Sequence, residues 1–177
     1  MVFNKTKLPG VVWIEIEPKV DERGFFARSW CQKEFTGNGL NSRLVQSSLS
    51  FNKRRGTLRG IHYQIDPFPE TKVVRCTSGG IYDVVVDLRQ HSPTFKEWIA
   101  IVLNSTNKHM VYVPEGCGHG FLTLEDQTEV SYQMSEFYYP ELARGVRWDD
   151  PAFQIEWPEP VQVISERDRT YPNFEGT

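Results

Sequence analysis

The chain has 177 residues, 39% of them hydrophobic and 13% aromatic, which supplies apolar material for a sizeable core and excludes a disordered segment. Its 20 Lys and Arg stand against 23 Asp and Glu, a formal net charge of -3, so the concentrated positive field that nucleic acid binding requires is missing and the partner is expected to be a small molecule. The 3 cysteines, Cys31, Cys76 and Cys117, are odd in number and lack paired-ligand spacing, which points away from a disulfide framework or a zinc site and toward a reducing compartment.

Residues Met1 to Gly10 carry no long apolar stretch after their charges, and no later run could span a bilayer, so a cytoplasmic protein without a membrane partner is expected. From Val11 onward, short segments rich in β-branched and aromatic residues recur between Gly, Pro, Asn and Asp, the mark of closely spaced strands rather than βαβ units. A short helix is expected at Ser29 to Phe35, with Ser29 capping it, Gln32 returning the bond, and an end at Gly37 or Gly39. In the strand that contains Thr57 to Gln64, period two puts Leu58, Gly60 and His62 on one face and Arg59, Ile61 and Tyr63 on the other, unless a bulge at Gly60 re-sorts them. The clearest hairpin signal is Lys72 to Arg89, where two apolar runs flank Ser78-Gly79-Gly80.

Further strands are expected at Trp98–Leu103, Met110–Val113, Gly120–Leu124 and Glu129–Met134. No repeat or linker interrupts the chain before the Pro-rich stretch at Trp157-Pro-Glu-Pro160, so residues 1–177 read as a single all-β domain. A closed sandwich or barrel would leave so many strands without raw edges.

Two histidines stand in motif-like settings. His62 follows Arg54-Arg-Gly-Thr-Leu-Arg-Gly-Ile, and His119 closes Pro114-Glu-Gly-Cys-Gly-His, whose Pro-x-Gly-x-x-His spacing resembles the second half of the cupin signature. A metal-binding cupin pairs that histidine with a His-x-His and a downstream Glu; here the second position after His62 is Gln64, so neither a metal nor another cofactor is expected. Taken singly, His62 and His119 read as packed histidines, Tyr132 as a core aromatic, and Asp168, Arg59 and Lys72 as solvated side chains.

Read together, Asp21-Glu-Arg-Gly-Phe-Phe26, Gly56 to Gln64, Asp83 to Arg89, Ser92-Pro-Thr-Phe95, Pro114 to Phe121, Trp148-Asp-Asp-Pro151 and Ile164-Ser-Glu-Arg-Asp168 resemble the dTDP-4-dehydrorhamnose 3,5-epimerase family, in order and over nearly the whole chain. The resemblance implies a cupin-type jelly-roll barrel of two antiparallel sheets with a few short helices. It implies inversion at C3, C5 or both of a nucleotide-linked 4-keto-6-deoxyhexose, with His62 as base, Asp168 holding its tautomer and Tyr132 as acid on the far side of the sugar. Lys72 and Arg59, with His119 nearby, would meet negative charge on the C4 oxygen, and Arg23 and Arg59 would clamp the diphosphate while Phe25 stacks on base or sugar. The Arg23 segment would reach a neighbouring subunit's site, hence a homodimer. Arg28 and Ala143 stand where the family has Glu, and Gln46-Ser-Ser48 replaces Gln-Asp-Asn, all at nucleotide-holding positions, which leaves dTDP, CDP and other nucleotides open. A nucleotide-sugar 3,4-ketoisomerase and a non-catalytic nucleotide-sugar binding module are the alternatives.

Overall fold

The computed structural model describes residues 1–175. In chain order it contains β1 (Val2–Lys5), β2 (Val12–Glu15), β3 (Lys19–Asp21), β4 (Gly24–Phe26), α1 (Gln32–Gly37), β5 (Gln46–Asn52), β6 (Thr57–Gln64), β7 (Lys72–Ser78) and β8 (Gly80–Asp87). There follow β9 (Trp98–Asn104), β10 (Met110–Val113), β11 (Cys117–Thr123), β12 (Thr128–Met134), β13 (Ala143–Gly145), β14 (Val163–Ile164) and α2 (Glu166–Arg169). No helix among the described residues is long and apolar enough to cross a membrane.

One sheet runs β1-β2-β10-β7-β12-β5, a second runs β13-β6-β11-β8-β9 with β14 parallel to β6, and β3 and β4 form a separate ribbon. From β5 to β12 the chain changes sheet at every step except the β8–β9 hairpin. This is the expected jelly-roll barrel of two antiparallel sheets with two short helices, built because each strand has an apolar inner face that only the opposing sheet can cover.

Strand period sorts the core. In β8, Ile81 and Val85 point into the barrel against Val74, Cys76, Val130 and Phe121, whereas Val84 and Val86 point outward under Val146 and Phe153. That alternation also sends Asp83 and Asp87 inward, and both are buried. The outer face of the first sheet is covered by α1, whose Phe35 packs on Ile14, Val73, Met110 and Tyr112.

Two local expectations are corrected. The segments around Gly79 are strands, but no ladder joins them: β7 pairs with β10 and β12, and β8 with β11 and β9. Each is a central strand that buries residues on both faces, so Gly79, at φ +72°, passes the chain from one sheet to the other instead of folding it back. Ser29 is not the helix cap; Cys31 holds that position without a side-chain bond, because helical geometry starts at Gln32, too early for Gln32 to be the third residue of a capping box. The helix end is as expected, with Gly39 at φ +72° donating to the Thr36 carbonyl.

The long β8–β9 connection is pinned from inside. Asp87 accepts both Nε (2.8 Å) and Nη2 (2.7 Å) of Arg89, and it accepts the hydroxyls of Ser92 and Thr94 as well. Burial pushes the Asp87 carboxyl up, but these bonds outweigh it and hold it at about 2. Its contribution to stability is therefore present above the unfolded carboxyl's value of about 4 and is lost as pH falls from there toward about 2. Asp87→Ala, which leaves a guanidinium and two hydroxyls without their acceptor, is expected to lower the unfolding free energy by about 2–3 kcal/mol at neutral pH in urea titrations, with the deficit shrinking in acid.

Candidate active site

The site begins with an irregularity in β6. His119 of β11 lies opposite His62, and Phe121 opposite Arg59, so three steps along β6 match two along β11. The extra residue is a β-bulge, and it places two residues three apart on the same side of the strand. Arg59 and His62 therefore share one cavity, which re-sorts the faces expected from strict alternation. Gly60 makes this possible: it sits at φ +130°, and a Cβ there would lie 2.4 Å from the Gly120 Cα.

The cavity, of about 630 Å³, opens inside the barrel. The second sheet contributes Arg59, His62 and His119; the first contributes Ser48, Ser50, Lys72 and Tyr132; the last turn of chain adds Ser165, Arg167 and Asp168. An adjoining cavity of about 480 Å³ shares Ser48, His62, Lys72, Tyr132 and Arg167 and adds Gln46, Tyr138, Ala143 and Arg144. His62 and Tyr132 thus look into the same space from opposite sheets.

His62 is held by the C-terminal segment. Its Nε2 lies 2.7 Å from Asp168 Oδ1, and Asp168 Oδ2 accepts the Gly60 N–H at 3.3 Å. Ser165 caps α2 by accepting the Asp168 N–H at 3.1 Å, which fixes the carboxylate's approach. Burial pushes the Asp168 carboxyl up, but the bond and charge of His62, with the Gly60 and Ser165 bonds, hold it below the usual carboxylate range. An ionised carboxylate on one ring nitrogen keeps the proton there and leaves the other nitrogen free to accept one. The Tyr171 ring stands edge-on to His62, with centroids 6.2 Å apart, and its hydroxyl accepts from Arg167 Nε at 2.8 Å.

The cations are also placed by partners. Lys72 Nζ lies 3.0 Å from Glu70 and donates to the His62 carbonyl at 3.3 Å, while Arg59 Nε donates to Asn52 Oδ1 at 2.7 Å. His119 Nε2 meets Asp83 Oδ2 at 2.8 Å, with both side chains buried. Burial, and then the Asp83 charge, push the Tyr132 phenol well above its ordinary value, so it stays a proton-bearing phenol. Gln64 is buried and tied to backbone, its Nε2 donating to the Phe68 and Phe137 carbonyls and its Oε1 accepting the Tyr139 N–H.

Three expected contacts are not brought to this cavity by the chain's own fold. Arg23, in the turn between β3 and β4, is bonded to Asp21 and 83% exposed. Phe25 is exposed beside Lys108, and Arg28 is ion-paired with Glu34 at 2.7 Å around a separate cavity with Met1 and Phe26. Gln46 and Ser48, by contrast, line the adjoining cavity.

A family profile described as dTDP-4-dehydrorhamnose 3,5-epimerase matches residues 5–176. The chain belongs to the dTDP-4-dehydrorhamnose 3,5-epimerase family. Its members are isomerase-class enzymes, and the relative named dTDP-4-dehydrorhamnose 3,5-epimerase from Methanothermobacter thermautotrophicus is 44% identical over 96% of this chain and 92% of its own. A crystal structure of the family enzyme from Bacillus anthracis, with TDP and pyrophosphate bound, superposes with a TM-score of 0.94 at 36% identity, covering 98% of this chain and 99% of that one. The Legionella pneumophila structure in complex with dTDP-4-keto-L-rhamnose gives a TM-score of 0.88 at 34% identity over 94% of this chain and 89% of that one.

In this epimerase-family member, several residues in or behind the cavity walls escaped sequence reasoning. Tyr171 meets His62, and Arg167 the cavity, only because the segment around α2 folds onto β6, and Asn52 and Tyr138 sit at strand and loop ends with no motif around them. Asp83 did carry a signal: a carboxylate in the run Ile81-Tyr-Asp-Val-Val-Val86 has no reason to be there as a solvated residue. Because the bulge depends on two glycines in contact, Gly60→Ala is expected to force β6 and β11 apart and cost about 3 kcal/mol or more. Thermal unfolding should show this together with loss of the His62–Asp168 geometry in nitrogen NMR.

Proposed function

We propose that this chain inverts C3 and C5 of a dTDP-linked 4-keto-6-deoxyhexose by proton transfer between His62 and Tyr132. The observation that carries the reading is that these two side chains line one cavity from opposite sheets, since inversion needs a base and an acid on opposite faces of a ring. A C–H next to the C4 ketone is acidic because the electron pair left behind moves onto the carbonyl oxygen. His62 removes that proton, with Asp168 steadying the imidazolium, and Tyr132 gives its phenolic proton to the opposite face of the same carbon. The imidazolium then releases its proton to solvent and the phenolate regains one, so each inversion leaves the enzyme unchanged.

The enolate oxygen needs preorganised hydrogen-bond donors, which Lys72, Arg59 and His119 supply from the cavity walls. Side chains alone provide base, acid and charge, so the proposal calls for no metal or cofactor. The nucleotide carried by similar solved structures supports dTDP, with Gln46 and Ser48 of the adjoining cavity as its contacts.

The β3–β4 ribbon, with Arg23, Phe25 and the neighbouring Arg28, acts in this reading on a second copy of the chain. A two-stranded ribbon has little stability alone, and Val20 and Phe26 are 77% and 76% exposed on it, an apolar surface that a partner would cover.

Two measurements test this. In heavy water the wild type is expected to place deuterium at C3 and C5 of the dTDP sugar while inverting them. His62→Ala should abolish both events, and Tyr132→Phe should slow inversion by roughly 100-fold or more while exchange at the His62 face continues. A product whose ketone has moved, or an active His62→Ala enzyme, would overturn the reading. Mixing inactive Arg23→Ala and His62→Ala subunits should restore part of the activity, because one mixed dimer carries an intact site; no recovery after subunit exchange argues for sites built within single chains.

A further inference from the structure

The barrel interior holds a second His–Asp pair. His119 and Asp83 are 3% and 0% exposed, their Nε2–Oδ2 distance is 2.8 Å, and Asp83 Oδ1 has no hydrogen-bond partner among the described residues. His119 nonetheless lines the cavity, and with Nε2 occupied only Nδ1 is left to face it.

We propose that Asp83 and His119 form a one-proton unit that keeps an Nδ1–H of His119 pointed at the cavity throughout the working pH range, with Asp83 as the positioning residue. Three protonation states of the pair compete. A carboxylate beside an imidazolium, and a neutral carboxyl donating to Nε2 of a neutral ring, are both uncharged overall, and both put a hydrogen on Nδ1. The third, a carboxylate beside a neutral ring protonated on Nε2, leaves a net negative charge in a water-poor interior and exposes a bare Nδ1. Burial disfavours the third state strongly, and it disfavours it more with one carboxylate oxygen unbonded.

The surrounding groups do not rescue that third state. From β7, Lys72 faces Asp83 but is already paired with Glu70, and the Cys76 thiol is pushed up to about 11 by burial first, with Asp83 among the smaller causes. From β12 comes the neutral Tyr132 phenol; from β6 come Arg59, bonded to Asn52, and His62, bonded to the Asp168 carboxylate. Consistent with the geometry, burial raises the Asp83 carboxyl above its ordinary value despite the opposing pull of His119 and Lys72.

The catalytic consequence rests on the epimerase reading above: a donor that is always protonated can meet the C4 oxygen as negative charge develops there, without waiting for the solvent proton supply. His62 and His119 then differ in kind, one ring free to accept a proton and the other prevented from losing one.

The test uses nitrogen NMR of histidine-labelled, ligand-free protein, with the His119 signals identified by His119→Gln. His119 Nδ1 should keep the shift of a protonated ring nitrogen from about pH 6 to about pH 9, across the range where an ordinary imidazole titrates. A bare Nδ1 at about pH 8 overturns the proposal, whatever becomes of the variants. In Asp83→Leu, kcat is expected to fall roughly 100-fold at about pH 8.5 with KM little changed, and to recover part of the loss near pH 6, where a solitary imidazole protonates. A loss equal at both pH values would mark Asp83 as structural only. Should the wild type neither exchange nor invert C3 or C5 of the dTDP sugar while His119 Nδ1 behaves as expected, the epimerase reading falls and the one-proton pair stands.

Discussion

A carboxylate can lie inside a β-barrel only when a positively polarised group faces it, and the site here is organised by two such contacts, His62 with Asp168 and His119 with Asp83. The first also closes the chain. Asp168 lies 106 residues beyond His62, on a four-residue helix preceded by a two-residue strand, elements with little stability of their own. What holds them is the carboxylate's bonds to His62 and Gly60 and the Tyr171 ring packed closely against Gly145, where a Cβ would come within 2.3 Å of the ring. His62 and the segment around α2 are therefore mutually dependent.

The same pair chemistry yields two environments. The His62 side chain is 39% exposed, and the Asp168 carboxyl sits below its usual range; His119 and Asp83 are sealed, and the Asp83 carboxyl sits above it. Exposure separates them although both rings line the cavity: where the imidazole is open to water an ionised partner is tolerated, and where the pair is almost wholly buried desolvation dominates and favours a pair without net charge.

Much of the fold was legible because β-branched and aromatic runs between turn residues mark strands wherever they are half-buried; Met110–Val113 falls where composition put it, and the helix ends at its glycine. Pairing was not legible. The run Lys72 to Arg89 has the local chemistry of a hairpin, and nothing short of the whole sheet order reveals that Gly79 crosses between layers. The grouping of Arg59 with His62 likewise depends on the contact of Gly60 with Gly120, sixty residues apart in sequence, which alternation along one strand cannot foresee. His62, Tyr132 and Asp168 were reached through motif resemblance, and the cavity they share supports treating them as a set. Arg23, Phe25 and Arg28 lie off that cavity, on the β3–β4 ribbon and beside α1, a placement that depends on where the ribbon folds and that no local motif spells out.

Gln64 shows how the same barrel position can serve architecture. Two residues beyond His62 on β6, it makes three bonds to backbone: to the Phe68 carbonyl at 2.6 Å, to the Phe137 carbonyl at 3.0 Å, and from the Tyr139 N–H at 2.9 Å. Those bonds tie the loop after β6 to the loop after β12, and Tyr139 stacks on Phe68 across the same junction at 4.7 Å. Tyr138 and Gln46, at the mouth of the adjoining cavity, hang from this knot through the Tyr138 N–H. An imidazole offers only two ring nitrogens and cannot serve two carbonyls and an N–H at once. A histidine in place of Gln64 would leave at least one of these part-buried backbone groups without its side-chain partner, so the residue that joins the two loops is incompatible here with a ligand-type side chain.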